Sequence, residues 1–263
     1  MNKILAKNKD VWNDMFDWIN SRGGARKYPN ETVVIWLLGY ARTEHPEKKI
    51  LDVGCGWSQS MPMCINAGYE YYGVDVTDRA FISDDIIKNN GWDQKVHLSV
   101  FNPPELDFED ESFSHSFSTE ALHLNADSQS MQIIIDEIYR VLKPGGRFMA
   151  TVMTPEYWYM PLGTAKYVTD EIIEVQENHV EKNRIGARYF VFQDEDHIKE
   201  YFSKFSKVYI GKENPFAKDK SFSVISVRCH FPGEEGIVSL LGPTRMAYKK
   251  NISLINSIAK ILE

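Results

Sequence analysis

The sequence predicts an α/β fold: a Rossmann-like, doubly wound, mostly parallel sheet. Three observations carry that prediction. Ile50-Leu51-Asp52-Val53 is a short, mostly apolar run that opens into Gly54-Cys55-Gly56, as a buried strand runs into a glycine turn. A second such run, Tyr71–Val76, ends at Asp75, 21 residues after Gly54. Strand and helix patterns then alternate from residue 49 to 153, which is how βαβ units read in sequence.

Each element follows from local signals. Residues 1–45 are helical in pattern and rich in aromatics, with a break at Ser21-Arg22-Gly23-Gly24. Pro29 and Asn30 open a helix over Glu31–Arg42, and His45-Pro46 closes it. Strand Ile50–Val53 is followed by helix Ser58–Ala67, closed by Gly68. Strand Tyr71–Val76 is followed by helix Asp78–Asn90. Strands Val96–Val100 and Phe113–Ser118 come next, then helix Ser128–Leu142. Lys143-Pro144-Gly145-Gly146 stops that helix before strand Arg147–Met153. Residues 154–192 lose the rhythm, with a helix expected over Thr169–Glu181. Helix Asp194–Phe205 precedes strands Lys207–Gly211 and Phe222–His230, which could pair antiparallel at one sheet edge. A polar turn region and a terminal helix, Lys250–Ile261, are expected in 232–263.

Composition narrows the function. The 263 residues carry a net charge of −7, which gives no support to binding a phosphate backbone. Cys55, Cys64 and Cys229 are an odd set without metal-ligand spacing, read as free thiols in a reducing compartment. The histidines show no metal pattern either, so no metal is expected. No apolar segment follows Met1-Asn2-Lys3, and the longest apolar run, Val33 to Ala41, is nine residues. A membrane span needs roughly 20. The cytoplasm is the expected location, with no membrane partner.

The acid before the first glycine is the chemical clue. A dinucleotide places its pyrophosphate at such a turn, and the Asp52 carboxylate would repel it. Asp52 therefore points to a ligand carrying positive charge, as S-adenosylmethionine does with its sulfonium and ammonium. Asp75 is placed to accept hydrogen bonds from ribose hydroxyls; the alternative is a strand-end cap at Thr77.

Leu51–Gly56 followed by Asp75, then Phe108-Glu109-Asp110-Glu111-Ser112-Phe113, then Arg140-Val141-Leu142-Lys143-Pro144-Gly145-Gly146-Arg147, resembles the class I S-adenosylmethionine-dependent methyltransferases. The small-molecule branch, the methyltransferase type 11 kind, is the nearest in pattern. The match covers about residues 47–153. The resemblance implies a seven-stranded sheet with an antiparallel last strand, 207–211 and 222–230 supplying the final two. It implies S-adenosylmethionine as cofactor and S-adenosylhomocysteine as product. Asp52, Gly54, Cys55 and Gly56 would hold the methionine end, Asp75 the ribose, and Val76 the adenine. Asn102 stands where many relatives carry an adenine-binding Asp, and Ser118 opens the segment beside the methyl group. Ser58 replaces a usual third glycine, which implies a slightly different loop path.

His123 is the candidate general base, the alternative being a ring that packs beside the cofactor. Tyr28, Tyr157, Trp158 and Tyr159 either close over the cofactor and acceptor or cover a flank of the sheet. Arg22, Arg26, Lys27, Arg184 and Arg188 either recognise an anionic acceptor or are solvated. Asn102-Pro103-Pro104-Glu105 imitates the base-methylating Asn-Pro-Pro-aromatic motif, but it follows the third strand and Glu105 replaces the aromatic. The expected organisation is one domain: a helical cap over 1–45, a cofactor core over 47–153, an insert over 154–192, a helix and strand pair over 193–231 and an extension over 232–263. The expected activity is methyl transfer to an oxygen or nitrogen of a small molecule, with a sugar or sugar nucleotide as first guess. The alternatives are a non-catalytic S-adenosylmethionine-binding protein and a methyltransferase acting on nucleic acid or protein.

Overall fold

The computed structural model describes residues 3–23, 28–41, 47–82, 84–156, 162–176, 184–210, 222–231 and 234–243. The chain divides into two compact units, Met1–Val208 and Tyr209–Glu263.

In the first unit, β1 (Lys49–Val53), β2 (Glu70–Asp75), β3 (Val96–Val100), β4 (Phe113–Ser118) and β5 (Leu142–Ala150) form one sheet in the order β3-β2-β1-β4-β5. Every pairing is parallel. The centre of the sheet is closed to solvent: β4 is buried throughout, and β1 is buried from Ile50 on. The chain winds outward from β1 through β2 to β3, then crosses to β4 on the other side. That reversal opens a crevice at the carboxyl ends of β1 and β4, where ligands bind in such sheets.

The helices explain their own positions. In α5 (Ser128–Val141), Met131, Ile134, Ile135, Ile138 and Val141 make a buried stripe at helical spacing. Asp127 caps it, its carboxylate accepting from the Ser130 N–H at 2.8 Å. Arg140 on α5 donates to the Leu106 and Phe108 carbonyls at 3.0 and 2.7 Å, and so pins the loop before β4. The helices α3 (Met61–Asn66) and α4 (Asp84–Asn89) are shorter than the sequence pattern suggested; ahead of α3, Trp57, Gln59 and Ser60 line the cleft. Residues 143–146 bulge out of β5: the pairing jumps from Phe113–Leu142 to His115–Arg147. At the amino end lie α1 (Lys3–Asn20) and α2 (Glu31–Val34), the latter continuing as a π-helix over Ile35–Tyr40.

Three expectations are corrected. The helix expected over 169–181 is replaced, as far as Gln176, by strands: β6 (Ala165–Tyr167), β7 (Ile172–Val175) and β8 (Arg188–Phe190) form an antiparallel sheet. Ile172, Ile173 and Val175 are buried there, and β-branched residues suit a pleated surface. The seven-stranded sheet is not formed among the described residues: the parallel sheet has five strands. Residues 207–210 are not a strand, and β9 (Phe222–Phe231) pairs antiparallel with β10 (Glu234–Pro243) in the second unit. Part of the region expected as a polar turn is thus strand, while the helix expected at 250–261 lies outside the described residues. The helix expected over Asp194–Phe205 forms as α6 (Glu195–Tyr201), capped by Asp194 and ending four residues earlier. Among the described residues, no helix is long and apolar enough to cross a membrane.

Candidate active site

A cleft opens at the carboxyl ends of β1, β2 and β4. The turn after β1 forms its floor. Gly54 has φ +79°, and the Gly54 and Cys55 N–H groups donate to the Val74 carbonyl at 2.8 and 3.0 Å, tying the turn to β2. A Cβ on Gly54 would lie 2.2 Å from the Ala121 Cβ, so the position admits only glycine. Gly56 and Ser58 also have positive φ, +48° and +51°.

Two carboxylates flank this turn. Asp75, 7% exposed, accepts from the Gly56 N–H at 2.9 Å and from the Val76 and Thr77 N–H groups. Burial pushes its pKa up to about 6, and those hydrogen bonds and Lys9 pull it back. Asp52, 3% exposed, accepts from the Tyr71 hydroxyl at 2.6 Å through Oδ2. Its Oδ1 is buried without a hydrogen-bond partner among the described residues. Burial pushes Asp52 up to about 7, Tyr71 lowers it and Asp75 raises it. Both sites are strained as anions, and an arriving cation would relieve the strain.

The opposite wall comes from α1. Trp12, Met15, Phe16 and Ile19 face the cleft, and Phe16 stands edge-on to Trp57 at 5.0 Å. The Arg184 guanidinium lies 5.1 Å from the Trp12 ring centre. Asn8 anchors α1: its Nδ2 donates to the Leu124 and Arg188 carbonyls at 3.0 and 2.8 Å, and its Oδ1 accepts from the Arg188 N–H at 3.1 Å.

Of the residues named from sequence, Asp52, Gly54, Cys55, Gly56, Asp75 and Val76 meet in this cleft. The Cys55 thiol is held neutral, its pKa pushed up by burial. Asn102 is exposed and outside the lining, whereas Phe101 and Pro103 on either side of it line the cleft. Ser118 is fully buried and donates to the Val53 carbonyl at 2.8 Å, stitching β4 to β1. His123 is buried outside the lining, edge-on to Tyr189 at 5.2 Å. Burial, and then the Arg184 charge, lowers its pKa to about 3, so the imidazole is neutral and a weak proton acceptor. Tyr28 is 83% exposed and away from the cleft. Arg188 is paired with Glu174 at 2.9 Å. Tyr157 and Tyr159 lie outside the described residues.

Sequence reasoning missed Trp12, Met15, Phe16, Phe101, Pro103 and Asn125 as cleft residues. A signal existed for the α1 set, since Trp12, Phe16 and Ile19 recur at helical spacing.

A five-stranded parallel sheet with a glycine turn, and an acid at the end of the second strand, defines the class I S-adenosylmethionine-dependent methyltransferase fold. The chain matches the methyltransferase domain model over residues 51–150 and the HrcA protein C-terminal domain model over residues 119–252. The chain belongs to the HrcA C-terminal domain family, whose model matches about half its length and takes in β9 and β10, and its residues 51–150 are similar to the methyltransferase domain. The two matches overlap over 119–150, where the structure builds α5 and β5 of the methyltransferase fold. An uncharacterized protein of Haemophilus influenzae is 32% identical over 113 residues, 42% of this chain and 44% of that one. The heat-inducible transcription repressor HrcA of Oceanobacillus iheyensis is 37% identical over 93 residues, 34% of this chain and 26% of that one. The chain thus spans less than half the length of these relatives. Among solved structures, an S-adenosylmethionine-dependent methyltransferase of Methanosarcina mazei superposes with a TM-score of 0.50 at 18% identity, over 79% of this chain and 96% of that one.

Proposed function

We propose that the cleft binds S-adenosylmethionine and that the protein transfers its methyl group to an oxygen or nitrogen of a small-molecule acceptor. The observation that carries this reading is Asp52: a buried carboxylate with one oxygen unpartnered, in a cleft floored by a glycine turn. Those residues fit a cationic cofactor. Gly54–Gly56 would hold the methionine end and Asp75 the ribose hydroxyls, while Val76, Phe101 and Pro103 flank the adenine. When bound, the cofactor supplies a methyl carbon open to in-line displacement.

The chain's own contribution is positioning and exclusion of water. The apolar wall of Trp12, Met15 and Phe16 supports an acceptor with an apolar body better than the sugar or sugar nucleotide first expected. His123, buried and neutral, is a packing ring in this reading. Glu120, exposed at the cleft with φ +56°, is the carboxylate facing the acceptor.

The test is calorimetric titration with S-adenosylmethionine, S-adenosylhomocysteine and NAD. Micromolar binding of the first two and none of NAD is expected. Asp75→Ala should weaken S-adenosylhomocysteine by roughly 10- to 100-fold, the worth of hydrogen bonds to a charged acceptor. Unchanged affinity would remove the ribose assignment. A second reading follows from the HrcA match: a protein in which the cleft senses S-adenosylmethionine and the second unit serves regulation. Binding without turnover on any acceptor class would favour it.

A further inference from the structure

We propose that Tyr71 is a positioning residue for the cofactor's amino-acid end: its hydroxyl holds one oxygen of Asp52 and leaves the other to a ligand cation. The inference deepens the methyltransferase reading and rests on it.

A tyrosine at the heart of a parallel sheet is unusual chemistry. Such strands favour Val and Ile, and burying a hydroxyl there is costly unless it is paired. Tyr71 is fully buried, and its hydroxyl lies 2.6 Å from Asp52 Oδ2. The backbone makes room for it. Gly73, two residues on and on the same face, pairs in register with Asp52. A Cβ at Gly73 would come within 3.0 Å of the Tyr71 ring and 2.8 Å of Leu98. The ring lies along this gap and reaches the carboxylate on the neighbouring strand.

With Oδ2 held, Oδ1 is buried and has no hydrogen-bond partner among the described residues, in an acid that lines the cleft. The Tyr71 pKa is pushed far up by burial and by Asp52, so the hydroxyl keeps its proton and is the donor. The other groups facing Asp52 are Asp75 on β2 and the thiols of Cys55, in the turn, and Cys64, on α3; both thiols are kept neutral by burial. Lys9, Glu120 and Arg184 line the same cleft. Of these, Lys9 lowers Asp75. Asp52 titrates at about 7, and below that pH its attraction for a cation is lost. Affinity for the amino-acid end should therefore fall as pH drops from 8 to 6. Without the Tyr71 hydrogen bond the midpoint should rise.

The experiment compares S-adenosylhomocysteine with 5′-methylthioadenosine, which keeps the adenosine and sulfur but lacks the amino acid. Calorimetry from pH 6 to 8 is run on the full chain, Tyr71→Phe, Asp52→Asn and the double variant. Tyr71→Phe should weaken S-adenosylhomocysteine roughly ten-fold at pH 7, move the midpoint upward and leave methylthioadenosine unchanged. It should add nothing in the Asp52→Asn background. Incorporating 3-fluorotyrosine at position 71 preserves the shape and makes the hydroxyl a stronger donor, so it should move the midpoint down. Equal losses for both ligands, or an unchanged pH profile in Tyr71→Phe and the fluorotyrosine protein, would overturn the role. If the unmodified chain binds methylthioadenosine but shows no preference for the amino-acid end, the Tyr71 role falls and the cofactor cleft stands. If it binds neither ligand, the cofactor reading itself falls and the role with it.

Discussion

The two walls of the cleft are made in opposite ways. The floor, from Asp52 to Asp75, is built from one short stretch of chain: a strand, a turn, a helix and a second strand. Its working groups are backbone amides and two buried carboxylates. The facing wall is assembled from α1, the segment after β4 and Arg184, which lie far apart in sequence. Its α1 face is apolar, from Trp12, Met15, Phe16 and Ile19, and Lys9, Glu120 and Arg184 are charged members of the wall. A wall coded by consecutive residues leaves a motif, whereas a wall coded by assembly leaves only periodicity. In the proposed function the first would bind a ligand part of fixed chemistry, and the second would be where acceptor specificity varies.

The sharpest way to break this contrast is at Gly54. An alanine there needs φ +79° and places its Cβ 2.2 Å from the Ala121 Cβ. The cost should be about 3–5 kcal/mol, from left-handed strain plus overpacking, with loss of S-adenosylhomocysteine binding. Urea unfolding and calorimetry measure both. Stability and affinity close to the parent would mean the floor is less backbone-determined than its geometry indicates.

The facing wall should respond differently. Asn8→Ala removes three hydrogen bonds and leaves the Leu124 and Arg188 carbonyls and the Arg188 N–H without that partner. A cost of about 2–4 kcal/mol is expected. In the folded fraction, the acceptor KM should rise more than the S-adenosylhomocysteine Kd. Parallel losses in both would make α1 part of the cofactor wall and dissolve the distinction.

The same contrast explains what the sequence made legible. Strands β1 and β2 were readable because buried parallel strands are largely apolar runs bounded by glycine and polar turns. The place of Asp52 and Asp75 in the cleft was readable because it is tied to a fixed spacing from that turn. Asn102 lies outside the cleft lining, which takes its two neighbours Phe101 and Pro103, where the chain leaves β3 and turns at Pro103-Pro104. His123 was named for its side chain, and only the packing against Tyr189 shows the ring to be buried. The helix expected over Thr169–Glu181 failed because Ile172, Ile173 and Val175 also satisfy a strand, and only their neighbours decide. The last strand found the wrong partner for a different reason. Phe222–His230 was read as extended, but the apolar run Ile237–Leu241 beyond Pro232-Gly233 was absorbed into a polar turn. Two extended runs separated by Pro-Gly are a hairpin signal, and β9 does pair with β10.

Arg188 gives the smallest and most discriminating test. Sequence placed it among the residues that would touch an anionic acceptor. In the structure its guanidinium is engaged by Glu174 across β7 and β8, at 2.9 Å, while its backbone groups are held by Asn8. With side chains 36% and 22% exposed, the pair is largely screened by solvent, so Arg188→Ala should cost no more than about 1 kcal/mol. The Glu174 carboxyl, held below its usual range chiefly by the Arg188 hydrogen bond, should return upward. The sign follows: the pair's contribution is present above the normal carboxylate range and is lost as pH falls through the lowered value. The stability difference between parent and variant should therefore shrink in acid. Neither the acceptor KM nor cofactor affinity should change, because the side chain lies outside the cleft lining. A raised KM for anionic acceptors alone would bring Arg188 into the acceptor wall and extend that wall onto β8.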